Sequence, residues 1–413
     1  MPSDLPLWRQ GDFRRLWAAQ AVSDFGARIT RDGLPMMAVL ALAASPAQLG
    51  LLAALAGAPA FLVGLSAGGL VDRSRRRNLL IAADLVRAAV LLTLPLAAWL
   101  RVLGLGQLFA AAALVAAASA MFDIADHAYL PSLVGRDRLT EANARISATE
   151  SVAEMGGPAL AGLLFQWLTA PFAVAVNAAT YLVSAAFLAR IAGRESLPEP
   201  QPRARRWLDG VRSGAAAAWR EPVVRPLLVL AVGSGLFGGI FSALYIVFAL
   251  RTLGLTPALL GITIATGGLG ALAGSLMAQP LARAMGTGPA ILASALAAAA
   301  STLLIALSPP GVLPAMTSLI GAQLLGDSFG VVTLILAVSL RQSRLPGELL
   351  GRTGAAFQAA AGAAGVAGAL GGGLLGQALG VRTALFVAAV GLALAPALGC
   401  FSPLRRLRKI SET

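Results

Sequence analysis

Cysteine, lysine and histidine are nearly missing from this chain; each occurs once, as Cys400, Lys409 and His127. A single cysteine excludes an intrachain disulfide and says nothing about the redox compartment; near a helix end it reads as a small buried hydrophobe. There is no HExxH pair, no GxxxxGK phosphate loop and no second histidine. Neither a metal-dependent enzyme nor ATP-driven pumping is therefore indicated, and no cofactor is expected. Charge is also scarce, at 12% of residues, and aromatics make up 6%.

What fills the chain instead is apolar residues. They account for 57% of its 413 positions, and the mean hydropathy is +0.78. A single soluble core of this length cannot hide that much apolar surface, so the composition describes an integral membrane protein. The formal net charge of +13 does not call for nucleic acid, because arginines confined to loops on one membrane face account for it. Arginine almost wholly replaces lysine, which points to a GC-biased prokaryotic genome and hence to a bacterial inner membrane.

The run GGLVDRSRRR, Gly68 to Arg77, orders the rest. It cannot lie in hydrocarbon, yet apolar segments of spanning length flank it. Its arginines mark the cytoplasmic side and so set the direction of every other segment. Hydropathy then gives twelve spans, at about 16–44, 48–70, 78–100, 104–126, 149–169, 172–192, 223–250, 258–282, 289–308, 313–340, 354–378 and 383–402, all helical because lipid offers the backbone no partner. Both termini fall on the cytoplasmic face, and the first apolar segment is read as a retained helix rather than a signal peptide. Only Arg101, Arg251 and Arg382 fall outside this topology, while Arg28, Arg31 and Arg87 lie within spans.

The expected fold is an all-α polytopic membrane protein of twelve transmembrane helices, arranged as two pseudo-symmetric six-helix bundles around a central cavity. Residues 1–192 form the first bundle and 223–413 the second. The linker, 193–222, carries a short amphipathic helix marked by Trp207, Leu208, Val211, Ala215 and Trp219, expected to lie on the inner membrane surface. The run from Gly157 to Leu164 resembles that from Gly368 to Leu375 at corresponding positions of the halves, and Gly68 has a counterpart in Gly274. Paired repeats meeting at a cavity suit alternating access.

Gly68, Asp72, Arg73, Arg76 and Arg77, in the pattern Gly-x3-Asp-Arg-x2-Arg-Arg, resemble the signature loop of the major facilitator superfamily, with Arg75 standing where a glycine is usual. The segments FRRLW, LIAADLVRA, LPSLV, LTEANARISATESVAEMGGPALAG and RQSRLPGELLGR resemble the branch that includes the enterobactin exporter and macrolide efflux proteins. The resemblance covers essentially the whole chain. It implies outward transport of a small molecule driven by an ion gradient, usually of protons, and a cytoplasmic gate role for Asp72 with Arg73 and Arg76. Gly157, Pro158 and Gly162 resemble the proline-glycine motif on the fifth span of superfamily antiporters, where small residues and a bendable proline suit a rocking interface.

Charges inside spans are costly and so mark work to be done. Asp24, Arg28, Arg31 and Asp32 fall within roughly a quarter of the first helix's circumference, an arc that must face the bundle interior. Asp24 precedes Arg28 by four residues, a favourable acid-base spacing, so the stripe is either a positioning network or a functional one. Asp84 and Arg87 read as an intrahelical pair. Asp123, Asp126, Glu150 and Glu154 sit near the inner ends of spans four and five, with Glu154 reaching the cavity. His127 is either a solvated surface histidine or a proton relay. Asp327, the lone acid inside any span of the second half, has no basic residue within a turn along its helix. It is a candidate for proton coupling or substrate contact. Trp17, Phe25, Phe237, Phe241, Tyr245 and Phe357 are candidates for an apolar cargo pocket.

Three readings follow. The first is a proton-coupled exporter of a hydrophobic or amphipathic molecule (drug, siderophore or secondary metabolite), acting as a monomer among membrane lipids. An importer or uniporter on the same fold is the second, because topology does not set direction. A non-transport membrane receptor is the third.

Overall fold

The computed structural model describes residues 6–71, 74–193 and 206–408, and among these it is helical throughout. The α-helices are α1 Gly11–Leu40, α2 Pro46–Val71, α3 Arg76–Trp99, α4 Leu105–Val134, α5 Leu139–Trp167, α6 Ala170–Ala189, α7 Arg206–Arg220, α8 Arg225–Val247, α9 Pro257–Met285, α10 Thr287–Ala306, α11 Val312–Arg344, α12 Gly347–Leu379 and α13 Val381–Gly399. Nine of the described helices are long and apolar enough to cross a membrane. α1 and α5 match them in length, at 30 and 29 residues, but stand outside that set because they carry the charged stripes. Leu276, Leu374 and Phe172, on α9, α12 and α6, are 70%, 64% and 65% exposed, as residues facing lipid are.

Several helices outrun the apolar segments that predicted them. α4 runs to Val134 rather than 126, and α5 starts at Leu139 rather than 149. Hydropathy sees only the stretch that prefers hydrocarbon, whereas the helical backbone continues through polar residues. As a result Glu154, expected near a helix end, stands near the middle of α5.

The chain divides into two compact units: Met1–Ala43 with Leu55–Ala204, and Ala44–Ala54 with Arg205–Thr413. The sequence reading put the whole of 1–192 in one bundle and held the linker helix apart. Residues Ala44–Ala54 instead cluster with the second unit, where a Cβ added to Gly50 would lie 2.5 Å from the Ala369 carbonyl oxygen and 2.8 Å from Gly373 Cα. α7 also belongs to that unit, packed on α12 at Gly214, whose added Cβ would meet Thr353 N at 2.8 Å. The side of α7 that faces α12 carries buried Gly214 and Ala218, while Leu208 and Trp219 remain exposed.

The two units repeat one internal packing scheme. In the first, α1 packs on α5 and α6, and α3 on α4 and α6. In the second, α8 packs on α12 and α13, and α10 on α11 and α13. Each of these four pairings in the first unit thus has a counterpart in the second, as an internal repeat requires.

Small residues make these contacts close. Along α8, Gly235 faces Ala361, and Gly239 faces the Gly365 carbonyl and Ala369 N on α12; in return Gly372 meets Ile240 Cα at 2.8 Å from its added Cβ. With backbone against backbone, packing rather than hydrophobic transfer holds helices together where the surroundings are equally apolar.

Arg251 and Arg382, two of the three arginines that break the charge bias, have a local reason. Arg251 Nη1 donates to the Ala44 carbonyl at 2.8 Å, and Arg382 Nη1 to those of Ser308 at 2.8 Å and Ala306 at 3.3 Å. Ala306 is the last residue of α10, so Arg382 satisfies carbonyls that have no partner within the helix.

Gly239 and Gly238 give a paired test. Gly239→Ala pushes a methyl into the α12 backbone and should destabilise by about 1–3 kcal/mol. Gly238, beside which an added Cβ meets nothing within 4 Å, should tolerate alanine with a small gain from the stiffer helix. Thermal unfolding midpoints of the two purified variants in detergent should move in opposite directions.

Candidate functional site

In the first unit the α1 stripe meets α5. Arg28 Nη1 reaches Glu154 Oε2 at 2.5 Å, and Arg31 Nη1 and Nη2 both donate to Glu154 Oε1 at 3.2 Å. One carboxylate is thus held between two guanidinium groups. Arg31 Nε also stands 3.7 Å from Asp32 Oδ1. Among the described residues no ion pair joins Asp24 to Arg28, so the favourable i,i+4 spacing is overruled by a cross-helix partner. Asp32 is 7% exposed, and its Oδ2 has no hydrogen-bond partner.

Gly157 explains why Arg28 can reach Glu154. A Cβ there would lie 2.5 Å from Arg28 Cβ and 2.8 Å from its Cγ, so the arginine crosses α5 over the glycine and meets the acid one turn earlier on the same face. Pro158 follows, lacking the N–H that would bond the Glu154 carbonyl four residues before it, so α5 has a bendable point beside its ion pairs. Gly162, like Gly157 and Pro158, is buried.

The Asp84 and Arg87 pair is the most deeply buried ion pair among the described residues, at 0% and 2% exposure. Arg87 Nη2 bonds Asp84 Oδ1 and also reaches Ser23 Oγ at 3.3 Å. Ser184 Oγ donates to Asp84 Oδ2 at 2.7 Å. The guanidinium lies between two rings, 4.4 Å from the centroid of Phe122 and 4.3 Å from that of Tyr181. What sequence suggested as a contact within α3 is thus a junction of α1, α3, α4 and α6.

Of the signature loop, Asp72 and Arg73 lie outside the described residues. Gly68 falls in the last turn of α2, and Arg76 Nη1 donates to the Ala128 carbonyl of α4 at 3.0 Å. Arg77 donates to the Leu188 and Ala189 carbonyls at 2.9 and 2.5 Å, capping the end of α6. Asp126 accepts from Gln20 Nε2 at 2.5 Å, while Asp123, His127 and Glu150 are exposed.

The second unit holds a cavity of about 780 Å³ walled by α8, α10, α11, α12 and α13. Asp327 and Arg341 bound it, fourteen residues apart on α11, with Gly330, Leu334 and Ala337 between them on the same face. Ser234, Thr302, Gln323, Thr333 and Gln358 add neutral polar groups to walls that are otherwise mostly alanine, leucine and glycine. Asp327 also lies against α9, where Gly267 has no side chain to block its Oδ2. The Arg341 guanidinium stands 4.8 Å from the centroid of Phe357. Of the six aromatics singled out from sequence, Phe357 lines this cavity; Phe237 packs on Gly391, Phe25 lies by Gly156, and Trp17 donates to Thr149 Oγ1. Sequence reasoning missed Arg341 by counting it only as a topological charge. Its spacing of two heptads from Asp327 was the available signal.

Two all-helical units with charged groups inside long apolar helices define a multi-pass membrane protein. The solved structures it resembles share that fold: a bacterial homologue of the iron transporter ferroportin in an inward-facing state (17% identity, 96% of this chain and 99% of that one, TM-score 0.76), the nucleoside transporter NupG (12%, 95% and 99%, 0.76) and the peptide transporter POT (14%, 94% and 93%, 0.74). A family model described as transmembrane secretion effector matches residues 3–412, and the chain belongs to that family, a branch of the major facilitator transporters. An uncharacterized MFS-type transporter of Bacillus subtilis, YfiS, is 28% identical over 404 residues, spanning 92% of this chain and 91% of that protein. The protein is accordingly a transporter and not an enzyme.

The Arg87 junction makes a stability prediction. Asp84→Ala leaves a guanidinium buried without its carboxylate and should cost about 3–5 kcal/mol, whereas replacing both residues by apolar ones of similar size, D84L with R87M, should cost less. Unfolding midpoints in detergent decide the order.

Proposed function

We propose that this chain is a proton-coupled exporter of small hydrophobic or amphipathic molecules, working by alternating access. In this reading twelve helices span the membrane as two six-helix bundles around a central cavity, with both termini cytoplasmic and the monomer as the working unit. The observation that carries the reading is the cavity in the second unit. Its volume suits a drug-sized molecule, its walls are largely apolar, and one carboxyl-bearing residue, Asp327, lines it. Such a site can accept an apolar body and exchange a proton against it. The family description, transmembrane secretion effector, supports the outward direction.

Roles follow from chemistry. Asp327 carries the proton or touches the cargo. Glu154, Arg28, Arg31 and Asp32 form a second charged station, in which protonating Glu154 would release two arginines at once. Asp24 extends the stripe toward the acids of α4. Gly68, Asp72, Arg73 and Arg76 hold the cytoplasmic ends of helices closed until the bundles rock, and Gly157, Pro158 and Gly162 let α5 slide on α1.

The test is transport in sealed vesicles with imposed pH gradients and a panel of lipophilic drugs and siderophores. Wild-type protein should move at least one compound outward against a proton gradient. Asp327→Asn and Glu154→Gln should each lower that rate by about tenfold or more while eluting as folded protein. Gradient-stimulated counterflow of none of the panel, by well-folded protein, would remove the support for export.

A further inference from the structure

A second, smaller concavity lies in the first unit, away from the charged stripe. It is a groove of about 320 Å³ bounded by Trp8, Arg14, Arg15, Trp17 and Phe187. Its aromatic floor is fixed in place. Trp8 and Trp17 meet edge to face with centroids 5.1 Å apart, and Trp17 Nε1 is anchored on Thr149 Oγ1 at 2.9 Å. Arg145 adds a guanidinium 5.6 Å from the centroid of Trp8.

The charge at the groove is net positive by one arginine, since Arg15 and Arg145 each have an acid beside them and Arg14 forms no ion pair among the described residues. Asp12 is the nearby acid on α1, and its carboxylate is already engaged by Arg15 at 2.8 Å and by the backbone N–H groups of Ala192 and Gly193 at 3.1 and 3.0 Å. Arg145 is held by Glu141 at 3.0 Å. Arg14 is exposed beside them and completes a surplus of positive charge. The depth is set by Phe187, which stands two residues before the end of α6, a 20-residue helix apolar enough to span the bilayer. A helix of this length is about as long as the hydrocarbon layer is thick, which sets the groove at the level of the headgroups. Trp8, 45% exposed, is the kind of side chain that layer favours.

We infer that this groove binds the headgroup of an anionic glycerophospholipid, with the phosphodiester on Arg14 and Arg15 and the upper acyl chain along Trp8 and Phe187. Positive charge alone would suit free phosphate as well. The apolar walls at the end of a span favour a ligand with a lipid tail.

The experiment uses the full-length purified protein in detergent, titrated with dioleoylphosphatidylglycerol, dioleoylphosphatidylcholine or inorganic phosphate and read by native mass spectrometry and unfolding midpoint. Wild type should retain phosphatidylglycerol about tenfold more tightly than phosphatidylcholine and gain stability from it, with phosphate giving neither effect. Arg14→Gln with Arg15→Gln should remove the preference, and Arg14→Lys with Arg15→Lys should restore most of it. Should the glutamine variant not fold, the wild-type comparison of the two lipids still decides. Equal retention of both lipids, an undiminished preference in a folded glutamine variant, or the same stabilisation from phosphate alone would each overturn the site.

Discussion

A guanidinium enclosed by helices must bring its counter-charge with it, and the first unit is arranged around that requirement. Arg87 could have projected into any gap along α3. It is held because Asp84 stands one turn away, Ser23 and Ser184 supply hydroxyls from α1 and α6, and Phe122 and Tyr181 cover both faces of the plane. A pair of this kind gives little net stability relative to an apolar core, yet losing one partner is severe. Its effect is to fix which helices meet and at what height, and four helices of the unit converge on it.

The same rule governs the charges between α1 and α5. Glu154 balances Arg28 and Arg31, and the balance exists because Gly157 lets α1 and α5 approach until the arginine crosses the glycine. Unlike the Arg87 junction, these groups remain partly exposed, at 28%, 47% and 43% for the three side chains, so water can reach them. One unit thus holds two ionic assemblies of opposite character. The first is closed to water; the second is open to it. The interior of the second unit is lined differently. There the corresponding helices are lined with glycine, alanine and serine and leave a cavity bounded by Asp327 and Arg341.

Much of this was legible in the chain. Apolar segments separated by arginine-rich loops marked the long helices, because only a helix satisfies its own backbone in lipid, and the stripe on α1 followed from angular spacing alone. The periodicity around Trp219 marked α7. Partner choice was not legible. Spacing favoured Asp24 for Arg28, but the acid that bonds it is 126 residues away on α5. Arg341 looked like one more topological charge until the fold turned it toward Asp327's cavity. Helix ends were misread for α4 and α5, since hydropathy reports where the bilayer is and not where the backbone stops coiling.

The sequence by itself determined that this is a multi-helix membrane protein, which stretches can lie in lipid, which charges cannot, and that its halves are related. Those are properties of local composition and period, and each residue contributes to them whatever its distant neighbours are. Tertiary structure alone decided that residues 44–54 pack with the second unit, that Arg251 bonds a loop carbonyl at Ala44 while Arg382 bonds carbonyls at the end of α10, that Gly157 opens a path for Arg28, and that a cavity forms beside Asp327. These depend on backbones approaching to within a side chain's width, a distance that glycine permits at many places in this chain and that only the assembled packing selects.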